Sequence, residues 1–182
     1  MLGNMMFQPL LISNMIEHAG RYHADSPVIS KNTDLSITET TWGKVHENSK
    51  RFANALQALG AQFGDRIATI AWNNHRHLES WYAISGSGMV CHTINPRLFP
   101  EQLVFIINDA ADKALLFDKT FLPLIKAVKP MLKSVEHYIC LDAPDAAVAE
   151  QLPDVQFYDE LIAQQPAAFE WPVFDEQTAS SL

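Results

Sequence analysis

Glycine is scarce in this chain, with 7 in 182 residues. None stands in the spacing of a phosphate-cradling loop. Neither G-x-x-x-x-G-K nor G-x-G-x-x-G can be written anywhere, so the converging backbone N–H groups that hold nucleotide phosphates have no counterpart here. Gly60 and Gly64 flank a strand entrance and suit turns instead. Basic residues are also few: 13 Lys and Arg against 21 Asp and Glu leave a net charge of -8. That balance argues against a nucleic-acid partner, because no Lys/Arg run exists to neutralise phosphates, and it offers no polybasic patch to anionic lipid. Only Cys91 and Cys140 represent cysteine. They lie far apart in apolar, strand-like runs, which reads as buried reduced thiols in a cytosolic protein. No apolar run approaches the roughly 20 residues of a membrane span. The apolar start, Met1 to Leu11, lacks both the leading positive charge and the small-residue cleavage site of a secretory signal.

Recognisable catalytic and metal spacings are missing too. His75 and His77 are two residues apart, which on a helix points the imidazoles in divergent directions. His92 neighbours Cys91 on a strand, on the opposite face. With no H-E-x-x-H or C-x-x-C, no metal ligand is assigned. Ser85-Gly86-Ser87-Gly88 has the outward look of a nucleophile elbow. It falls at a helix end, however, where the elbow needs a strand-to-helix turn, so it reads as a C-cap. No catalytic residue and no cofactor-binding residue is assigned.

What is present is a globular composition, 48% hydrophobic and 19% charged, with strong periodicity. Leu10 to Tyr22 reads as an amphipathic helix packed on its own core. Pro27–Ser30 and Leu35–Thr40 form a weak hairpin, with Leu35, Ile37 and Glu39 sharing one face. Val45, Phe52, Ala55, Leu56 and Leu59 stripe a long helix capped by Thr41 and closed by Gly60. From there strands and helices alternate. Arg66–Ala71, Val90–Ile94, Ala114–Phe117 and Val135–Leu141 are short apolar runs suited to strands buried on both faces. Between them lie helices around Leu78–Ser85, Pro100–Ala110 and Thr120–Val128, the first closing through glycines that permit close helix-to-sheet approach. Asp142–Pro153 reads as an exposed connection. A short helix at Tyr158–Gln165, an irregular stretch and a strand opening at Thr178–Leu182 follow. The expected fold class is α/β, a mainly parallel sheet with flanking helices.

Asn73, Asn74, Asn95 and Arg97 fall just after carboxyl ends of predicted parallel strands, the edge where doubly wound sheets bind ligands. They are the candidate substrate-edge residues. A purely structural role accounts for them more readily: asparagines favour caps and turns, and Arg97 would pair with a nearby carboxylate.

Several stretches carry a family resemblance. They are Gly64-Asp65-Arg66-Ile67-Ala68, continuing to Trp72-Asn73-Asn74; Gly86-Ser87-Gly88 through His92-Thr93-Ile94-Asn95-Pro96-Arg97-Leu98; and Ile106-Ile107-Asn108-Asp109-Ala110. With the order of elements, they make the chain similar to the adenylate-forming acyl-CoA synthetases, specifically the medium- and long-chain fatty acyl-CoA ligases. The resemblance runs from Met1 to Leu182 and is most distinctive from Asp65 to Phe117. It implies that residues 1–182 form the N-terminal part of an AMP-binding domain. The phosphate loop would follow Asp175-Glu176-Gln177-Thr178-Ala179-Ser180-Ser181-Leu182, with a C-terminal domain beyond. It further implies a parent enzyme that uses ATP, Mg and CoA to convert a fatty acid to an acyl-adenylate and then a thioester. Its implied setting is the cytoplasm, with peripheral membrane contact a further expectation, and its implied assembly a homodimer through the N-terminal arm Met5-Met6-Phe7. These residues alone are then expected to be inactive, to bind none of the cofactors and to self-associate. Two rival readings stand beside it: an aryl-acid ligase or peptide-synthetase adenylation domain, and a complete non-catalytic α/β binding module.

Overall fold

A computed structural model describes residues 3–182. Helix α1 (Ile12–Tyr22) leads into an antiparallel hairpin of β1 (Pro27–Lys31) and β2 (Ile37–Thr41), in register from Pro27 opposite Thr41 to Lys31 opposite Ile37. Helix α2 (Trp42–Ala58) begins directly from β2. The Thr41 hydroxyl accepts the Lys44 N–H at 3.3 Å, the cap expected of it. Gly60, at φ 88°, takes the left-handed position past the helix end that disfavours other residues.

The body is a five-stranded sheet of β3 (Arg66–Ile70), β4 (Val90–Thr93), β5 (Ala114–Phe117), β6 (His137–Cys140) and β7 (Val155–Phe157). All pairings are parallel, in the order β4-β3-β5-β6-β7. Helices α3 (His75–Gly86), α4 (Pro100–Ala110), α5 (Leu122–Val128), α6 (Ala146–Gln151) and α7 (Tyr158–Ala163) complete the chain. Alternation along each strand feeds two cores. Ala68, Ile70, Leu115, Phe117, Tyr138 and Cys140 pack with α4, α5 and α6. Ile67, Cys91, Ala114, Leu116 and Ile139 pack with α2, α3 and Tyr158 at the start of α7. A strand covered on both faces is apolar at nearly every position, which is why these runs are legible as near-continuous hydrophobic segments.

Several expectations need correction. Asp142–Pro153 is not merely an exposed connection: it contains α6, whose Val148 and the following Leu152 are buried against the sheet. The short strand β7 was not anticipated, since three residues give no periodicity to read. Leu35 is not on a strand. It sits in the hairpin turn at φ 69°, and β2 starts at Ile37. The Gly86–Gly88 closure serves side chains rather than a helix-to-sheet approach: a Cβ on Gly86 would lie 2.8 Å from Trp171, and one on Gly88 2.3 Å from the Phe63 ring. The strand opening near the end does pair. Ser181 bridges Cys91 in parallel, with Cys91 N–H to Ser180 O at 3.0 Å and Leu182 N–H to Cys91 O at 3.0 Å, so the last residues cover the β4 edge.

Candidate functional site

The strand order creates a switch point. From β3 the chain passes to β4 on one side, then crosses back to β5 on the other, so the loops leaving β3 and β5 diverge and open a crevice at their carboxyl ends. After β3 come Trp72, Asn73 and Asn74; after β5 comes Asp118. The Asp118 carboxylate is buried and ties the two loops together, accepting the Trp72 N–H at 2.5 Å and the Asn74 amide at 3.3 Å. Burial pushes its carboxyl up to about 6; the Trp72 N–H opposes this and the charge of Asp142 adds to it. The Trp72 ring stacks on Phe121 at 5.2 Å and its indole N–H donates to the Thr120 hydroxyl at 2.9 Å, fixing the rim. Asp142, after β6, accepts the Lys119 N–H at 2.6 Å.

The tip of the hairpin faces this edge and closes a crevice of about 260 Å³, lined by Lys31, Asp34, Arg76, Asp118, Lys119 and Asp142 among others. A second cavity of about 450 Å³ lies between the hairpin and the start of α3. Its walls include Val28, Ile29, Leu78 and Trp81, with Asn73, His75, His77 and Thr93 as polar groups. Burial lowers both imidazoles, so each is neutral at neutral pH. His77 Nε2 lies 3.1 Å from the Thr69 hydroxyl, whereas His75 Nδ1 is buried without a hydrogen-bond partner.

The four sequence candidates separate here. Asn74 is the N-cap of α3, its carbonyl accepting the His77 N–H at 3.0 Å while its amide meets Asp118. Asn73 lines the larger cavity, adjacent to Asn74 at the switch point. Asn95 accepts the Arg97 N–H at 3.0 Å and shapes its own turn, and neither Asn95 nor Arg97 lines either cavity. The carboxylate partner expected for Arg97 is not found: among the described residues it makes no ion pair. Asp118 was missed in the sequence, although the rule that singled out Asn73 applies equally to the residue after Phe117. The same rule reaches Lys119 and Asp142, just past the strands that end at Phe117 and Leu141, whereas Arg76, inside α3, carried no such signal.

Nucleophilic chemistry finds no support in these residues. Burial pushes both Cys91 and Cys140 up to about 12. Ser87 donates to Ala83 O at 2.6 Å, as helix-end hydroxyls do, and Ser85 to Ser180 O at 2.9 Å, a tertiary contact with the last residues. The smaller crevice sets three carboxylates among its cations and falls below the roughly 300 Å³ at which ligand pockets begin, so it does not fit a nucleoside triphosphate. Among the described residues no group of three or more His, Cys, Asp or Glu could hold a metal ion. These residues therefore do not fit a resident Mg site.

The family model for AMP-binding enzymes matches residues 16–176. The chain belongs to the AMP-binding enzyme family. Within the family it is 56% identical over all 182 residues to a 3-methylmercaptopropionyl-CoA ligase of Ruegeria lacuscaerulensis, covering 34% of that protein. It is 45% identical over 182 residues to a medium-chain-fatty-acid–CoA ligase of Ectopseudomonas oleovorans, covering 33% of it. Against a long-chain-fatty-acid–CoA ligase of Thermus thermophilus the identity is 39% over 80% of this chain and 27% of that one. The chain thus spans about a third of the length of the curated relatives it matches. Among solved structures, an anthranilate CoA ligase in complex with anthranoyl-AMP superposes with a TM-score of 0.84 at 21% identity. That match covers 97% of this chain and 32% of the other, and it shows that this chain shares the fold of that part of the ligase.

Proposed function

We propose that the whole protein is an AMP-forming acyl-CoA ligase acting on an aliphatic carboxylic acid, and that residues 3–182 supply scaffold rather than chemistry. The supporting observation is the 56% and 45% identity to CoA ligases over all 182 residues, with helices packed on both faces of the sheet. In such a ligation the acid's carboxylate oxygen displaces pyrophosphate from the α-phosphorus of ATP, and the CoA thiol then displaces AMP at the acyl carbon, releasing a proton. The groups that would stabilise the phosphate and carboxylate charge are assigned to the phosphate loop and C-terminal domain outside this chain. Within it, Asn74 and Asn95 shape the loops of the sheet's carboxyl edge. Asn73, which lines the larger cavity and whose side chain forms no hydrogen bond among the described residues, is the residue proposed to meet a substrate; Arg97 lines neither cavity.

Two acid classes stand within this reading: a medium- or long-chain fatty acid, as for the Ectopseudomonas relative, and a short thioether acid, as for the Ruegeria relative. Full-length protein assayed for CoA thioester formation with octanoate, palmitate and 3-methylmercaptopropionate separates them, with benzoate as the aryl control. Thioester formation with none of the aliphatic acids overturns the ligase reading. The 182-residue chain alone is expected to show only background acid-dependent ATP–pyrophosphate exchange, and robust exchange would overturn the scaffold assignment. A cytoplasmic setting with peripheral membrane contact belongs to the same proposal; no helix of the described residues is long and apolar enough to cross a membrane. So does self-association through the arm, where Met5, Met6, Phe7 and Leu10 are each more than three-quarters exposed. Sedimentation across protein concentrations tests it, and a concentration-independent monomer would exclude it.

A further inference from the structure

Glu79 is the most deeply buried acidic side chain of the α3 layer, 1% exposed, between three helices. One carboxylate oxygen accepts the Asn48 amide of α2 at 3.0 Å; the other accepts the Tyr158 hydroxyl of α7 at 2.7 Å. Tyr158 is itself wholly buried, its ring 4.8 Å from that of Phe52 on α2. The next residue, Asp159, takes a bidentate pair from Arg76, one turn before Glu79 on α3, at 3.0 and 2.8 Å. Two consecutive residues of α7 are therefore held by two residues on one face of α3.

What α7 anchors is a long strap. Beyond it, Gln165 O accepts from Arg51, and Pro166 O and Ala168 O accept from Asn54, both on α2. The indole of Trp171 then donates to Glu17 of α1 at 2.8 Å, and the chain ends by pairing with β4. A strap whose root is fastened through one buried carboxyl responds to that carboxyl's charge.

We propose that Glu79, Tyr158 and Asn48 form a proton-operated clasp that fastens α7 to the α2–α3 pair and loosens as the carboxyl ionises. The charged groups facing Glu79 are Arg76 on its own helix, which favours the ion, and Asp159 on α7, which opposes it; α2 presents the uncharged Asn48 amide. Burial outweighs the two hydrogen bonds and Arg76, and pushes Glu79 up to about 7. A carboxyl raised in the folded state stabilises it fully below its ordinary 4.5, and that contribution is lost as pH climbs through about 7. Opening α7 hydrates the carboxylate, so the ionised form favours the open state.

Hydrogen exchange of α7 in the 182-residue chain, corrected for the pH dependence of unstructured amides and compared with α4, reads the clasp directly. From pH 4.5 to 8 the opening equilibrium of α7 should rise by up to on the order of a hundredfold, with α4 unaffected. Glu79→Gln, which keeps an acceptor without a charge, should abolish the rise. Tyr158→Phe removes one donor to the carboxylate and should move its midpoint to higher pH. A wild-type pH dependence retained in Glu79→Gln, or an unshifted midpoint in Tyr158→Phe, overturns the proposal. Should the glutamine variant fail to fold, the phenylalanine midpoint decides.

Discussion

The parallel sheet and the N-terminal hairpin solve burial in opposite ways. In the sheet, Ile67 to Ile70 and Ala114 to Phe117 are covered on both faces, and their side chains divide between two cores. In the hairpin, Ile29, Leu35 and Ile37 are 66%, 74% and 70% exposed, and of the ten strand residues only Ser30 is buried. Two strands cannot bury a face against each other. The hairpin is instead held by its connections: β2 runs straight into α2, and Val28 packs with Ile16, Val45 and Tyr82. Apolar character alone thus says little about burial. The sheet's strands are apolar because they are sandwiched, whereas the hairpin's apolar residues line a surface and the wall of the larger cavity.

The contrast can be tested in order of expected effect. Phe117→Ala should cost about 3–5 kcal/mol, since it empties a fully buried aromatic from the central strand of the sheet. Urea unfolding midpoints at constant slope measure it, and a loss under about 1 kcal/mol would mean the sheet core is loosely packed. Asp118→Asn comes next and acts through pH. The raised carboxyl of Asp118 contributes stability that is complete below 3.8 and lost as pH rises through about 6. Replacing it should flatten the stability–pH curve over that window by at most about 3 kcal/mol. A difference curve between wild type and variant that stays level from pH 3.5 to 6.5 would show that Asp118 does not carry the burial cost assigned to it. Ile37→Thr should change stability by no more than about 0.5 kcal/mol, as at an ordinary exposed strand position. A loss several times larger would place the hairpin's open face in a contact absent from the isolated chain, and would erase the distinction drawn between the two regions.

Local sequence determined a great deal of this protein. The alternation of strands and helices, the doubly covered strands, the caps at Thr41 and Asn74 and the proline start of α4 were all legible, because each depends on residues within a turn or two. The His92–Leu98 words pointed to the family for the same reason: they are contiguous. Other features exist only in three dimensions. Strand order follows from which crossovers fold left or right of β3, and it alone puts the crevice between β3 and β5 and pins Trp72 to Asp118, 46 residues away. Glu79 reads as a polar position on an amphipathic helix until α2 and α7 close over it, and a carboxyl's proton affinity depends on that cover. The sheltering of β4 by the last residues, and of α6 against the sheet, likewise needed partners far along the chain. Periodicity and capping are short-range, whereas desolvation and strand order are set by whatever the whole chain brings into contact.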